Sequence, residues 1–246
     1  MKPAHYSVQH YADADVAEGF DALRFGGPIG EFVAGEEARV ITAFVGDVAG
    51  ASVLDVGTGT ARAALALAER GAQVTGLDYS REMLRVGQVR VARAAARIGL
   101  LRGDATHLPF ADRRFDVTVS VRLLMHMPDW RATLTELCRV TRRRLVIDYP
   151  ARRSAAAIQS AARRVLHAAG RSTEPYRVFG DGAIEAVCRA AGFRVHDRHR
   201  HFVLPIALHK AVAARGFTSA SEGALRSLGV TGLVGSPVTL VAERDS

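Results

Sequence analysis

The sequence has little cysteine and lysine and no long apolar run. Its 246 residues include two cysteines, Cys138 and Cys188, without metal-ligand spacing, so we expect buried free thiols in a reducing cytoplasm. No stretch reaches the roughly 18 uncharged apolar residues of a membrane span, which predicts a protein without one. Residues 1–19 contain no apolar segment, which argues against a secretory signal.

Arginine takes the place of lysine, and the charge is unevenly distributed. Of the 33 basic residues, 31 are arginine, and the formal net charge is +8. Residues 1–50 contain 3 basic and 8 acidic groups, whereas residues 151–246 contain 14 and 7. A basic C-terminal half attracts an anionic substrate or RNA, so the charge alone leaves both ligand classes open.

Strand-like and helix-like segments alternate through the middle of the chain. Predicted strands cover 52–56, 73–78, 100–104, 115–121 and 144–149, and predicted helices cover 60–70, 80–98 and 128–142. This alternation predicts an α/β fold with a doubly wound, mostly parallel, seven-stranded Rossmann-like sheet. Ligands on such sheets bind at the carboxyl ends of the strands, where functional side chains are therefore expected.

The flanking segments are interpreted as parts of the same single domain, residues 1–246. Residues 1–30 are polar with interspersed aromatic residues and are predicted to form an arm or lid, followed by a helix and the ligand-binding core over 31–150. The substrate-side part, 151–246, has a basic amphipathic helix, two further strands and a helical insertion. These are predicted at 152–168, 193–203, 236–244 and about 205–228.

A glycine-rich turn follows the first strand in the segment "VLDVGTGTARAAL". Glycine lets the backbone approach a ligand closely, and the next helix offers free N–H groups to an anion. Asp78 ends the second strand, where a carboxylate accepts hydrogen bonds from ribose hydroxyls, and Asp104 ends the third. A dinucleotide turn reads G-x-G-x-x-G/A, but here Arg62 occupies the sixth position. The pattern from Asp55 to Ala61 fits D-x-G-x-G-x-[GA] better.

Three ordered segments carry a resemblance to a known family. "VLDVGTGTARAALALAERGAQVTGLDYSREML", "GDATHLPFADRRFDVTVSVRLLMHMPD" and "ELCRV…RLVIDYP" resemble motifs of class I S-adenosylmethionine (SAM) dependent methyltransferases. The similarity is to the subfamily of ubiquinone and menaquinone biosynthesis enzymes (type 11) and covers roughly residues 35–150. It implies the Rossmann-like methyltransferase fold, SAM as cofactor and S-adenosylhomocysteine (SAH) as product. One departure is Ala61, where the family often has a third glycine.

The resemblance also implies which residues hold the cofactor. Asp55, Gly57 and Gly59 would surround the methionine moiety, Asp78 would hold the ribose, and Met83 would lie near the adenine. Asp104 and Ala105 would meet the adenine edge. The full predicted cofactor set is Asp55, Gly57, Thr58, Gly59, Thr60, Asp78, Tyr79, Met83, Gly103, Asp104, Ala105 and Val121.

Methyl transfer from a sulfonium is an in-line displacement, for which positioning the acceptor supplies much of the rate. In the loop after the fourth strand, His126 is the candidate general base or substrate-orienting donor, or else it packs near the following helix. Arg122 is the second catalytic candidate and would bind an acidic substrate or a backbone carbonyl. Predicted substrate contacts are Tyr149, Tyr176 and His209.

The histidines in "VHDRHRH" place His199, His201 and Asp197 on one strand face, but no second ligand set follows, so we expect no metal. The leading functional hypothesis is methyl transfer to a small molecule, with oxygen as the acceptor atom. The alternatives are an RNA or protein methyltransferase that uses the basic half, or a non-catalytic SAM-binding protein. No RNA-binding module is recognised, so nucleic acid is not the expected partner. A monomer and a homodimer are both compatible with the sequence.

Overall fold

Two helices precede the sheet in the computed structural model, which describes residues 10–170 and 176–245. Helix α1 (Ala14–Phe25) begins at Asp13, whose carboxylate accepts hydrogen bonds from the first-turn amides. Helix α2 (Gly27–Val45) follows after Gly26, so the N-terminal arm predicted over 1–30 contains α1 and the first turn of α2. Residues 1–9 of that arm lie outside the described part of the chain.

The sheet has seven strands in the order β3-β2-β1-β4-β5-β7-β6. They are β1 (Ser52–Val56), β2 (Gln73–Asp78), β3 (Ile98–Arg102), β4 (Phe115–Ser120), β5 (Thr141–Tyr149), β6 (Phe193–Phe202) and β7 (Ser236–Arg244). The first five strands are parallel, and β7 is antiparallel to both of its neighbours. The predicted doubly wound, mostly parallel, seven-stranded sheet is confirmed.

Helices cover both faces of the sheet. They are α3 (Arg62–Ala68), α4 (Arg81–Arg93), α5 (Trp130–Val140), α6 (Ala155–Ala168), α7 (Asp181–Ala190), α8 (Ile206–Val212), α9 (Arg215–Ser227) and α10 (Val230–Val234). Alternate strand residues enter two separate apolar clusters: Leu54 and Val56 belong to one, and Val53 to the other. Both faces of β1 are therefore buried, as expected for a central parallel strand.

Several boundaries differ from the sequence expectation. Strand β3 is an edge strand with exposed positions and ends at Arg102, so Asp104 lies in the loop beyond it. Helix α5 is capped by Asp129, which accepts a hydrogen bond from Ala132 N at 3.0 Å. Pro128 thus precedes the cap instead of occupying the first helical turn. The predicted insertion corresponds to three short helices, α8 to α10, and extends to Val234.

The two cysteines lie in α5 and α7, and both are buried free thiols, as predicted. No helix in residues 10–170 and 176–245 is long and apolar enough to cross a membrane.

Candidate active site

The turn between β1 and α3 is tied to the adjacent strand. Gly57 N and Thr58 N both donate to Leu77 O, at 2.8 and 3.1 Å. Gly57 and Gly59 have φ angles of 77° and 53°, which lie in the left-handed region that favours glycine. A Cβ at Gly59 would lie 3.1 Å from Met83 Cε. The turn therefore needs small residues, and its backbone is exposed to the cavity at the end of β1.

Ala61 also adopts a left-handed conformation, with a φ of 61°. This is the position where the resemblance leads one to expect glycine. A non-glycine residue in this region costs roughly 1–2 kcal/mol. The backbone of the turn thus keeps the glycine-type conformation in spite of the alanine methyl group.

Asp55 is a buried carboxylate at the end of β1. Its Oδ2 accepts a hydrogen bond from Thr58 Oγ1 at 2.7 Å. Burial raises the pKa of Asp55 to about 6, and the negative charge of Asp78 adds to the rise. A desolvated carboxylate with a raised pKa is a suitable partner for an ammonium group.

Asp78 ends β2 and faces the same turn. Its two oxygens accept hydrogen bonds from Gly59 N and Ser80 N, each at 2.8 Å. Burial raises its pKa, and no cation among the described residues forms an ion pair with it. A carboxylate offers about four acceptor positions, so the two oxygens can accept further hydrogen bonds. That capacity matches a pair of ribose hydroxyl donors.

The loop after β3 completes this side of the site. Gly103 N donates to Asp78 O at 3.0 Å, which joins the two strand ends. A Cβ at Gly103 would lie 2.7 Å from Leu77 Cδ1, so glycine is needed for the close approach. Asp104 Oδ1 accepts from Thr106 N at 2.8 Å and thereby turns the loop back over the site.

These strand ends open into one cavity of about 740 Å³. All the residues predicted to bind the cofactor line it, together with both catalytic candidates: Asp55, Gly57, Thr58, Gly59, Thr60, Asp78, Tyr79, Met83, Gly103, Asp104, Ala105, Val121, Arg122 and His126. The volume lies within the range of about 300–1,000 Å³ that is typical of small-molecule sites.

Helix α1 and the residues before it form one wall of the cavity. The sequence predicted an arm or lid here but not which of its residues line the cavity. The rings of His126, Tyr11, Phe20 and Phe25 make a continuous series of edge contacts, with centroid distances of 5.9, 6.0 and 6.3 Å. Ser80 Oγ donates to Tyr11 O, which fixes this wall over the end of β2. The signal in the sequence was the aromatic residues interspersed in an otherwise polar arm.

Arg122 has a constrained backbone and a paired side chain. Its φ is 57°, and its backbone N–H donates to the buried carboxylate of Asp148 at the end of β5. Its guanidinium binds Glu37 on α2, with Nη1 2.7 Å from Oε1. Burial lowers the pKa of Arg122, but Glu37 and Asp148 more than offset it and raise the pKa. The cation is thus already neutralised at the cavity wall.

Asp148 is the counterpart of this arginine. Burial and the nearby Glu37 raise its pKa to about 7, while the Arg122 backbone N–H opposes the rise. Strand residues alternate between the two faces of a sheet. Asp148 therefore lies on the side of Arg122, and its neighbour Tyr149 points to the other side.

The three predicted substrate contacts do not line this cavity, so their role stays a prediction. Tyr149 is fully buried and donates to Asp181 Oδ1 at 3.1 Å. Tyr176 Oη donates to Ala156 O at 3.0 Å. His209 is also fully buried inside the insertion. The insertion helices pack against each other and against α2 and β6, so this histidine is removed from the cavity.

The histidines of β6 do not form a metal centre with the described residues. The β6–β7 pairing shifts register between Val195 and Asp197. His201 is buried, its Nε2 lies 2.8 Å from Thr239 Oγ1, and burial lowers its pKa to about 3. Its ring contacts that of His199 with a centroid distance of 4.8 Å. His201 is thus a neutral packing residue at ordinary pH.

Comparison with known proteins agrees with this geometry. Residues 53–144 match the family described as "Methyltransferase domain". A demethylmenaquinone methyltransferase from Geobacillus kaustophilus is 42% identical over 97 residues, which are 38% of this chain and 42% of that protein. The match thus spans less than half the length of this curated relative.

Solved structures extend the likeness to the whole sheet. Magnesium protoporphyrin IX methyltransferase from Synechocystis PCC 6803, with bound SAH, has a TM-score of 0.68 at 17% identity, covering 97% of this chain and 99% of that chain. The [4+2]-cyclase SpnF has a TM-score of 0.60 at 21% identity, covering 85% and 80%. Such low identities establish the fold alone. As its motifs predict, residues 53–144 match a methyltransferase domain, and the fold of the chain is that of a methyltransferase solved with bound SAH.

Proposed function

We propose that this protein transfers a methyl group from SAM to a small-molecule acceptor, with oxygen as the acceptor atom. The observation that carries the proposal is the cavity of about 740 Å³, which joins the acidic strand ends to the aromatic wall on the N-terminal side. One part of it has the donors and acceptors that SAM requires. The remaining wall, with Phe20 and Phe25, suits an apolar or aromatic acceptor.

The described residues fit SAM, which supplies an electrophilic methyl group on a sulfonium. The free acceptor positions of Asp78 suit the ribose hydroxyls, and Asp55 suits the ammonium group of the methionine moiety. Met83 and Ala105 line the adenine side of the cavity. Gly57 and Gly59, both at positive φ, leave the backbone of the turn without side chains, which supports close contact between this backbone and the ligand.

His126 is proposed to receive the proton of the acceptor hydroxyl at a ring nitrogen. It lies in the short 3-10 turn Leu124–His126 directly after β4 and lines the cavity. Its ring meets that of Tyr11 edge-on, with a centroid distance of 5.9 Å, which restricts its orientation. In-line displacement then depends mainly on holding the acceptor oxygen in line with the methyl carbon.

The arm over the cavity favours a small acceptor over RNA or protein. Arg85 on α4 pairs with Glu18 on α1, and Thr60 Oγ1 donates to Asp21 at 3.1 Å. These contacts hold α1 across the turn, where it would limit the access of water to the reacting groups. A nucleic-acid or polypeptide substrate needs an open groove at this position.

The proposal is tested with methyl-labelled SAM and a lysate separated into small-molecule, RNA and protein fractions. We expect label in the small-molecule fraction with the wild-type protein and none with Asp78→Ala. Label in RNA or protein would contradict the acceptor class. Tight SAH binding without transfer to any fraction would favour a non-catalytic SAM-binding protein.

A further inference from the structure

Helix α6 is amphipathic in the reverse sense of an ordinary surface helix. Its apolar side chains Ile158, Val165 and Leu166 are 76%, 69% and 42% exposed. They occupy positions i, i+7 and i+8, which places them together on one side of the helix, here called the outward face of α6. A helix of a globular protein normally buries such a face, so a cluster of exposed aliphatic side chains indicates a binding surface.

The polar side of α6 attaches the helix to the rest of the protein. Ser160 is buried, and its Oγ donates to Tyr176 O. Tyr176 Oη donates to Ala156 O at 3.0 Å, and the guanidinium carbon of Arg163 lies 5.5 Å from the centre of the Tyr176 ring. These three helix residues recur at intervals of three or four and share one side. The hydrogen bonds on this side therefore fix the apolar side chains in the outward direction.

The charge around the outward face has one sign. Residues 151–170 contain four arginines and no aspartate or glutamate. All four arginines are exposed: Arg152, Arg153, Arg163 and Arg164. Cations around an aliphatic face complement a surface that offers anionic groups above an apolar layer, as the headgroups and acyl chains of a bilayer do.

This combination favours a lipid surface over nucleic acid and over a second copy of the chain. Bases stack on aromatic rings, but residues 151–170 contain no phenylalanine, tyrosine or tryptophan. In a two-fold dimer the same patch meets itself, which would bring the arginines of both copies together. An anionic bilayer accepts the arginines at its headgroups and the aliphatic side chains below them.

The helix lies beside the cavity. Tyr176, which holds α6, is followed by Arg177, whose backbone N–H donates to Met125 O at 3.0 Å and whose Nη2 donates to Pro128 O at 3.3 Å. Pro128 lines the cavity, and Met125 directly precedes His126. A surface bound to α6 would therefore be close to the loop at the cavity wall.

We propose that the outward face of α6 binds the surface of an anionic phospholipid bilayer, with the helix axis parallel to that surface. The aliphatic side chains enter the boundary between headgroups and acyl chains, and the arginines bind headgroup phosphates. Such binding needs neither SAM nor an acceptor, so it goes beyond the proposed function and can fail without it.

Sedimentation with sucrose-loaded vesicles tests the lipid partner. The wild-type protein is expected to bind vesicles that contain phosphatidylglycerol and phosphatidylcholine about tenfold or more tightly than vesicles of phosphatidylcholine alone. Because the attraction is partly electrostatic, binding should weaken as salt rises from about 0.1 M to about 0.5 M. No binding to the anionic vesicles, or equal binding to both kinds, would overturn the proposal.

Substitution of the apolar face tests the insertion of its side chains. Ile158→Gln and Val165→Gln should each weaken binding to the anionic vesicles about tenfold, since each removes one aliphatic side chain from the lipid. Val89→Gln on α4 is the matched control, because Val89 is 45% exposed and lies on a different helix. It should stay within twofold of the wild type.

Substitution of the arginines tests the electrostatic part. Arg153→Gln together with Arg164→Gln should weaken binding about tenfold at low salt, because each cation near an anionic surface contributes about 1 kcal/mol. Arg93→Gln together with Arg97→Gln is the matched control, since both residues are exposed at or beyond the end of α4. A circular dichroism melt checks that every variant is folded.

Three results would overturn the proposal. Binding that the arginine variant weakens and Val165→Gln does not would show general attraction to charge. A wild-type dimer in light scattering that Val165→Gln dissociates, without vesicle binding, would make the face an interface between copies. Salt-sensitive binding to polyuridylate without vesicle binding would make it a nucleic-acid surface. In each case, SAH binding by the wild type in calorimetry would leave the proposed function standing.

Discussion

Two polar regions of this protein contain the residue types of active sites, yet they differ in how far their side chains are satisfied. At the ends of β1 and β2, Asp78 accepts two backbone N–H groups and keeps free acceptor positions toward the cavity. In the insertion, Glu222 accepts Val203 N and Leu204 N, each at 2.9 Å, and its Oε1 lies 3.0 Å from His209 Nε2.

In the insertion, Thr218, His209 and Glu222 are arranged like the nucleophile, base and acid of a catalytic triad, but a substrate cannot reach them. His209 Nδ1 lies 3.1 Å from Thr218 Oγ1, and both residues have no solvent exposure. No substrate reaches a hydroxyl in that position. The comparison teaches that unused hydrogen-bonding capacity next to a cavity, more than residue type, separates a ligand site from a structural junction.

The largest effect on ligand binding is expected at Asp78, which has unused hydrogen-bonding capacity next to the cavity. Asp78→Ala removes the proposed acceptor of two ribose hydroxyl groups, and we expect SAH affinity to fall about 10³-fold. Calorimetry with the purified variant measures it, and a circular dichroism melt checks that the fold persists. Unchanged affinity would show that the ribose is bound elsewhere.

His126 is expected to give the next largest effect, on turnover. His126→Gln keeps a polar side chain but loses the base, so kcat with an identified acceptor should fall about 10²-fold, with SAH affinity within twofold. The wild-type rate should rise with pH as the imidazole loses its proton, and the variant should lose this limb. A fall in kcat with an unaltered pH profile would indicate a packing role.

The pH dependence of cofactor binding is expected to follow Asp55. Its pKa in the folded protein is raised from 3.8 to about 6, so below pH 6 it is protonated and loses its charge for an ammonium group. We expect SAH affinity to fall about tenfold between pH 7 and pH 5. Asp55→Asn should bind more weakly and show a flat profile across that range.

The same carboxylate has the opposite influence on the stability of the ligand-free protein. A raised folded-state pKa contributes stability below pH 3.8 that is lost as the pH rises through about 6. Chemical denaturation of wild type and Asp55→Asn at pH 5 and pH 7 measures this term. The variant should gain in relative stability at the higher pH.

A substitution in the insertion should lower the unfolding free energy of the protein and leave its affinity for SAH unchanged. Glu222→Gln places an amide N–H₂ against groups that donate to the carboxylate, which should cost about 1–3 kcal/mol of unfolding free energy. SAH affinity should stay within twofold. Weaker SAH binding at a temperature where the variant is fully folded would mean that this cluster shapes the cavity after all.

The smallest effect is expected for Tyr149→Phe. It removes one hydrogen bond to Asp181, worth about 1 kcal/mol, from a site outside the cavity lining. Urea denaturation should show this loss, while kcat is unchanged. A large fall in kcat would return Tyr149 to the substrate site predicted from its place at the end of β5.

The sequence predicts which residues meet in the first region because its signals are local. Asp55 and Asp78 directly follow apolar strand residues, and parallel strands bring such ends together at one edge. Successive side chains of a strand lie on opposite faces, so an error of one residue in the strand alignment exchanges the two faces. For this reason the sequence did not show that Asp148, and not Tyr149, contacts Arg122. The N-terminal wall depends on contacts distant in sequence, such as that between Tyr11 and His126.

The anchoring of α1 by Lys210 has a consequence for the kinetics of ligand exchange. Helix α1 lies over the cavity, and Lys210 Nζ on α8 donates to Leu23 O and Arg24 O in its last turn, at 2.8 and 3.2 Å. Swinging α1 outward breaks both of these bonds unless α8 moves with it. We therefore expect that weakening this junction, for example by Lys210→Ala, shortens the residence time of a ligand in the cavity.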